Sequence, residues 1–284
     1  MPRKNISLPI LRSAYPDLTK SEKKIADYIM QHVEDITNYT IAELAKCTGS
    51  SEITISRFCK KLGFTGLQSL KLAFAADPSL HQDNERYTDI HPMDSYQDMA
   101  VKLFQNIEDG LQDTLKLLDF QEVGRAVDCL IGARSICVYG VGNSATLCQD
   151  FETRFIRFGM MIHLFSDVHM QLTTAALLNE KDVVVAISHS GATHDIVDAV
   201  QLAKQNGATI IAITSRAQSP LARIADIVLV GMGREVHYRS EATASRFVHM
   251  AIIDLLYTGV ATKVPEAYHR NIEKMRQVIR ERKK

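Results

Sequence analysis

The sequence has no net charge, no paired-cysteine motif and no long apolar run, and each absence removes a class of protein. Its 33 Lys and Arg balance 33 Asp and Glu, so the chain as a whole is not a polycation built for nonspecific nucleic-acid binding. Cys47, Cys59, Cys129, Cys137 and Cys148 form no C-x-x-C pair. Their odd number and spacing fit neither a zinc site nor a disulfide framework. Most stand at apolar-periodic positions, as buried thiols in a reducing compartment do. No stretch of about 18 apolar residues is present to span a membrane, and Met1-Pro2-Arg3-Lys4 opens no apolar signal region. Internal repeats and low-complexity tracts are absent. The expectation is a cytoplasmic protein with no membrane partner, no metal and no cofactor.

What is present falls into regions. The length, 284 residues, suits two domains better than one. Met1 to Ala76 holds 11 Lys and Arg against 7 Asp and Glu, whereas the remainder holds 22 against 26. The N-terminal part, 1–76, is thus mildly basic and reads as short capped helices. Residues 77–95 contain Pro78, Pro92, His81, His91 and five acidic residues without an apolar period, which reads as a linker. Residues 96–284 open with a long helical pattern through Leu118 and then alternate strands with helices. The strand candidates are Ser135–Tyr139, Met161–Phe165, Asp182–Ile187, Thr209–Thr214 and Ile227–Val230. Helical patterns over 143–158, 170–178, 195–206 and 220–225 separate them. Near-continuous apolar strands spaced by helices predict an α/β fold with a doubly wound parallel sheet. Further helices are expected over 243–260 and after Pro265.

In the first region, Thr19 with Glu22 and Thr40 with Glu43 have the spacing of capping boxes. Gly49 supplies a tight turn, Ser50 or Ser51 caps a third helix running to Leu62, and Gly63 stops it. Ile55, Phe58, Cys59 and Leu62 recur at helical spacing on an inner face. Ile53, Thr54, Ser56, Arg57, Lys60 and Lys61 fall on the opposite side. This suits the recognition helix of a helix-turn-helix, with Arg57 for a guanine edge or a phosphate and Ile53 for a thymine methyl. Glu52 suits either a cytosine amino group or the positive end of its own helix. An ordinary three-helix bundle with a solvated charged face accounts for the same pattern.

In the third region, Ser188-His189-Ser190-Gly191-Ala192-Thr193 lies between a buried strand and a helix start. Such a loop gathers unpaired backbone N–H groups, hydroxyls and the positive helix pole, which together hold an anion. The same residues also serve as a plain helix cap. Gly140-Val141-Gly142-Asn143-Ser144 follows the first strand but lacks the third glycine of a dinucleotide fingerprint. Thr214-Ser215 ends the fourth strand on the same edge. Hydroxyl-bearing loops at Gly142–Ser144, Ser188–Thr193 and Thr214-Ser215 therefore converge where parallel sheets bind ligands. A phosphate carried by a small polar molecule suits that rim.

The segments Val-Tyr-Gly-Val-Gly-Asn-Ser, Ala-Ile-Ser-His-Ser-Gly-Ala-Thr and Ala-Ile-Thr-Ser resemble the sugar isomerase (SIS) domain. The segment from Ser51 to Phe64 resembles the helix-turn-helix of the RpiR family of bacterial transcription regulators, which joins these two domains in this order. The resemblance implies a homodimeric or homotetrameric regulator that binds operator DNA and senses a phosphosugar. It places the phosphate on Ser188, Ser190, Gly191 and Thr193, beside His189, and the sugar along Gly142, Asn143 and Ser144. Thr214, Ser215 and Glu241 complete the site, and Ser51, Glu52, Ile53, Thr54, Ser56, Arg57, Lys60 and Lys61 supply the DNA contacts. Asp167-Val168-His169-Met170 also resembles the family, although His169 reads more simply as a residue of a helix start. Ile53 departs from the small residue that family members commonly carry there, which leaves base preference open. The rival reading is a phosphosugar isomerase, for which His189, His194, Glu235 and Glu241 are acid–base candidates. The helical N-terminal region weighs against it, and no catalytic residue is assigned.

Overall fold

The computed structural model describes residues 7–32, 35–75, 90–233 and 243–282. The chain divides into two compact units, Met1–Gln105 with Gln112–Leu117, and Asn106–Leu111 with Leu118–Lys284.

The first unit contains α1 (Ser7–Ala14), α2 (Lys20–Gln31), α3 (Ile41–Thr48), α4 (Glu52–Lys61) and α5 (Leu67–Ala75), and most of α6 (Tyr96–Leu117). Both expected capping boxes are formed. Thr19 and Glu22 close the start of α2, and Thr40 and Glu43 close the start of α3. Each box satisfies backbone donors that a helix start otherwise leaves unpaired. Gly49 ends α3 at φ +62°, and Ser51 caps α4 by accepting from the N–H of Thr54. Leu44, Ile55, Phe58, Cys59, Leu62 and Leu70 lie in one apolar core with Ile25 and Ile29. Burial raises the Cys59 thiol to about 12, so it stays protonated.

In the second unit, α7 (Phe120–Gly132) leads into β1 (Ser135–Tyr139), α8 (Asn143–Phe155), β2 (Ile162–Phe165), α9 (Val168–Ala175) and β3 (Asp182–Ile187). Then follow α10 (His194–Gln205), β4 (Thr209–Thr214), α11 (Pro220–Ile224), β5 (Ile227–Val230), α12 (Thr243–Lys263) and α13 (Pro265–Glu281). The five strands form one parallel sheet in the order β2-β1-β3-β4-β5. Alternate residues of each strand serve opposite faces. Ile136, Val138, Val183, Val185 and Ile187 pack with α7, α8 and α12, whereas Cys137, Tyr139, Val184 and Ala186 pack with α9, α10 and α11. Because both faces are covered, the strands read as continuous apolar runs. Arg134 grips the buried carboxylate of Asp182 with two hydrogen bonds of 3.0 and 2.6 Å, beside the paired residues Ser135 and Asp182. This pins β1 to β3 at their amino ends, opposite the candidate site.

The expected 77–95 segment lies mostly outside the described residues, as do Glu235 and Glu241. The helix α7 was not anticipated between the long helical pattern and β1. Its Val123, Ala126, Val127 and Leu130 recur at helical spacing and are buried, and Asp119 caps it through the N–H groups of Gln121 and Glu122.

Candidate functional site

The strand order reverses direction at β1 and β3. From β1 the chain leaves through α8 to one face of the sheet, and from β3 it leaves through α10 to the other. A crevice opens between such connections at the carboxyl ends of the strands. Both connections end at helix starts without a capping bond from an N-cap side chain, glycine having none to offer. The N-cap of α8 is Gly142, and that of α10 is Thr193. The positive poles of two helices thus point toward one place.

Two glycines make the geometry. Gly142 has φ +56° and ψ −132°, a conformation close to glycine-only. Gly191 has φ +59°, and a Cβ there would lie 2.2 Å from the hydroxyl of Ser219 and 2.9 Å from that of Thr214. The loop after β3 is therefore pressed against its neighbours and held firmly. Gly191 N–H donates to the Ser188 hydroxyl at 3.1 Å, and its carbonyl accepts from Leu221 N–H at 2.9 Å. The carbonyl of His189 accepts from Ser215 N–H and from the Thr214 hydroxyl. Ser190 takes the N–H of Ala192. A loop fixed in this way loses little conformational entropy when it binds.

The expected residues separate into those at the surface and those behind it. Gly142 and Asn143 are exposed, and Ser144, His189, Ser190 and Thr193 are half-buried. Ser188 and Gly191 are buried at the loop base, and Thr214 and Ser215 lie behind it, with Thr214 fully buried. The Ser215 hydroxyl meets the His189 ring, the Gly231 carbonyl and the His249 ring. His249, on α12, was not singled out from sequence. It is buried and its pKa falls to about 3, first because burial disfavours the charged ring and second because of the nearby His189. The signal was available as a lone titratable residue in the apolar run Phe247–Ile253. Glu241 lies outside the described residues. Asp167 caps α9 through Met170 N–H, and His169 is exposed on that helix. Gln171, also unforeseen, donates to the carbonyls of Phe165 and Gly140 and so ties the end of β2 to the start of the β1 loop.

In the helical unit, α3, Gly49 and α4 form the helix-turn-helix. Glu52, Ile53, Arg57 and Lys60 are exposed on α4, with Thr54 and Ser56 half-buried. The Ser51 and Thr54 hydroxyls lie 2.8 Å apart. Lys61 is turned away from this group. Its ammonium donates to Glu22 at 2.8 Å and to the carbonyl of Asp17 at 2.9 Å, fastening α4 to the start of α2. Burial raises the pKa of Glu22, but the bonds from Lys61 and Thr19 outweigh it and hold this carboxyl below its ordinary value.

Comparison with known proteins agrees with both halves. Residues 6–80 match the helix-turn-helix domain of the rpiR family, and residues 129–259 match the SIS domain. An HTH-type transcriptional regulator of Caldanaerobacter subterraneus subsp. tengcongensis is 35% identical over 276 residues, covering 97% of this chain and 98% of that one. The regulator YbbH of Bacillus subtilis is 33% identical over 273 residues, covering 96% of each. Among solved structures, the NanR protein of Vibrio vulnificus complexed with ManNAc-6P superposes with a TM-score of 0.61 at 28% identity, covering 95% of this chain and 96% of that one.

Proposed function

Since the chain belongs to the rpiR family of helix-turn-helix transcriptional regulators, we propose that it regulates carbohydrate metabolism by binding operator DNA under the control of a phosphosugar. The observation that carries this reading is the pair of helix starts at Gly142 and Thr193, uncapped by side chains and opening at the β1–β3 reversal. Ser188, Ser190, Gly191 and Thr193 hold the phosphate through hydroxyls and backbone N–H groups. His189, Gly142, Asn143, Ser144 and Glu241 meet the sugar. Thr214 and Ser215 act from behind, by holding the loop in shape.

On DNA, α4 enters the major groove. Ile53 and Arg57 reach bases, Lys60 meets phosphate, and Ser51, Glu52, Thr54 and Ser56 line the approach. The protein works in the cytoplasm as a homodimer or homotetramer. Val101, Phe104, Leu111 and Leu115 are exposed on α6 within an arc of about 80°, an apolar stripe suited to a second copy. The phosphosugar shifts the population between two arrangements of the subunits and thereby the spacing of two α4 helices. We take it as a ligand and not a substrate, a reading supported by full-length relatives named as transcriptional regulators.

Two measurements test this. Binding to duplex DNA should weaken steeply with salt as counterions are released, and Arg57→Ala should lose most of the affinity. A salt slope near zero overturns the DNA reading. In a thermal-shift panel of sugar phosphates, a ligand at about 100 times its Kd stabilises by about 2.7 kcal/mol. Ser190→Ala should reduce that shift while leaving DNA binding intact. A sugar phosphate turned over to its isomer would favour the enzymatic alternative.

A further inference from the structure

Two helices carry matching patterns on an exposed face. On α6, Val101, Phe104, Glu108, Leu111 and Leu115 step alternately by three and four residues, and all are exposed. Such steps make one seam along a helix, here with Glu108 at its middle. On α13, Ile272, Met275, Ile279 and the C-cap residue Arg282 step by three, four and three. Tyr268, one turn earlier in the same seam, packs on Phe158 and Tyr257. From Glu273 to Arg282 every residue is exposed. A helix end of about two and a half turns with no packed face is marginal in water, so its apolar seam calls for a partner.

Each seam is poorly matched to a copy of itself. The α6 seam is symmetric about Glu108. Two α6 helices laid antiparallel therefore set Glu108 against Glu108, two like charges taken out of water together. Two α13 tails laid antiparallel set Arg282 against Ile272, a cation on an apolar residue. Crossed, the two seams fit. Glu108, Leu111 and Leu115 step by three and then four, and so do Arg282, Ile279 and Met275 read backwards. Antiparallel pairing thus brings acid onto base and apolar onto apolar in one register. In a parallel pairing the α6 set becomes Glu108, Phe104 and Val101, which steps by four and then three and falls out of phase.

We propose that the α13 tail of one copy lies antiparallel on α6 of a second copy, with Met275 on Leu115, Ile279 on Leu111 and Arg282 on Glu108. Phe104, one turn past Glu108, covers the stem of the Arg282 side chain. The apolar residues supply the burial, and the single ion pair within the seam fixes the register. The contact rests on the homo-oligomer reading above, and it names the surface that meets the α6 stripe.

The test is sedimentation equilibrium of the full chain with the two charges exchanged. Glu108→Arg and Arg282→Glu each set like charges face to face, and each should raise the Kd of self-association by about tenfold or more. The double variant restores opposite charges and should return to within about threefold of the unaltered chain, a rescue that a folding defect would not show. Single variants that associate like the unaltered chain overturn the proposal, as does a double variant no tighter than either single one. Photo-cross-linking gives the address of the contact. Unlabelled chain carrying p-benzoylphenylalanine in place of Met275 is left to exchange subunits with an excess of 15N-labelled chain. The expected product joins it to a labelled α6 peptide containing Leu115. Joining to labelled α13, to α6 of the same unlabelled chain, or to nothing in an assembled protein overturns the proposal. A chain that stays monomeric at every concentration defeats the homo-oligomer reading and the contact together. An assembly that persists with its cross-links elsewhere defeats the contact alone.

Discussion

At the scale of single residues, His249 ties stability to pH. Its pKa is about 3 in the folded chain against 6.5 for an ordinary histidine, because burial disfavours the imidazolium. Between these values the unfolded chain binds a proton that the native chain does not. Stability from this group is therefore complete above about pH 6.5 and is lost as the pH falls toward about 3, by up to about 1.4 kcal/mol per pH unit. Urea unfolding should show a midpoint that drops from pH 7 to pH 5. His249→Gln should be less stable at pH 7 and should flatten that dependence, and an equally steep dependence in the variant would exclude His249 as its source. The lysines of α4 show what a sequence can convey about a residue. Lys60 and Lys61 are adjacent in sequence, and both read as part of one cationic face. Only the fold brings Glu22 against Lys61, from 39 positions away, and leaves Lys60 to solvent.

At the scale of elements, the junction of β3 and α10 depends on one glycine. Gly191→Ala places a methyl in a left-handed conformation and against the Ser219 hydroxyl. Both effects oppose the native loop, so the variant should lose about 1–3 kcal/mol of stability in urea and bind sugar phosphates more weakly. A variant with unchanged stability and unchanged ligand affinity would show that the loop does not need this shape. The elements themselves were largely legible. β1, β3, β4 and β5 were readable end to end, because burial on both faces demands unbroken apolar runs. The site was legible as a rim of hydroxyls but not in depth. That Thr214 and Ser215 end a strand can be read locally. That their hydroxyls turn inward follows from His189 and His249, which lie far off in sequence. For the same reason Gln171, polar on a helix face, gave no sign that it would bridge β2 and the β1 loop.

At the scale of the whole molecule, the apolar stripe on α6 has a measurable consequence. Phe104 is 73% exposed, the most exposed of four apolar residues spread over about four helical turns. Phe104→Glu places a charge in that stripe and should shift sedimentation toward the monomer. If two recognition helices act together on one operator, the same variant should also lose DNA affinity through lost avidity, without any change on α4. An unaltered sedimentation coefficient would place the subunit contact elsewhere.

The reversal of strand order also governs when the site comes into being as the chain folds. Its two walls, at Gly142 and Ser188, follow strands that pair directly with each other but are separated in sequence by α8, β2 and α9. Closing that loop costs chain entropy before any contact repays it, so β1–β3 pairing is a slow, nonlocal event. No partly folded chain can present both helix poles together. A ligand spanning the two loops therefore recognises only the finished sheet, and its binding drains the population open to proteolysis. On this account an effector that controls the regulator's output also sets how long each copy survives.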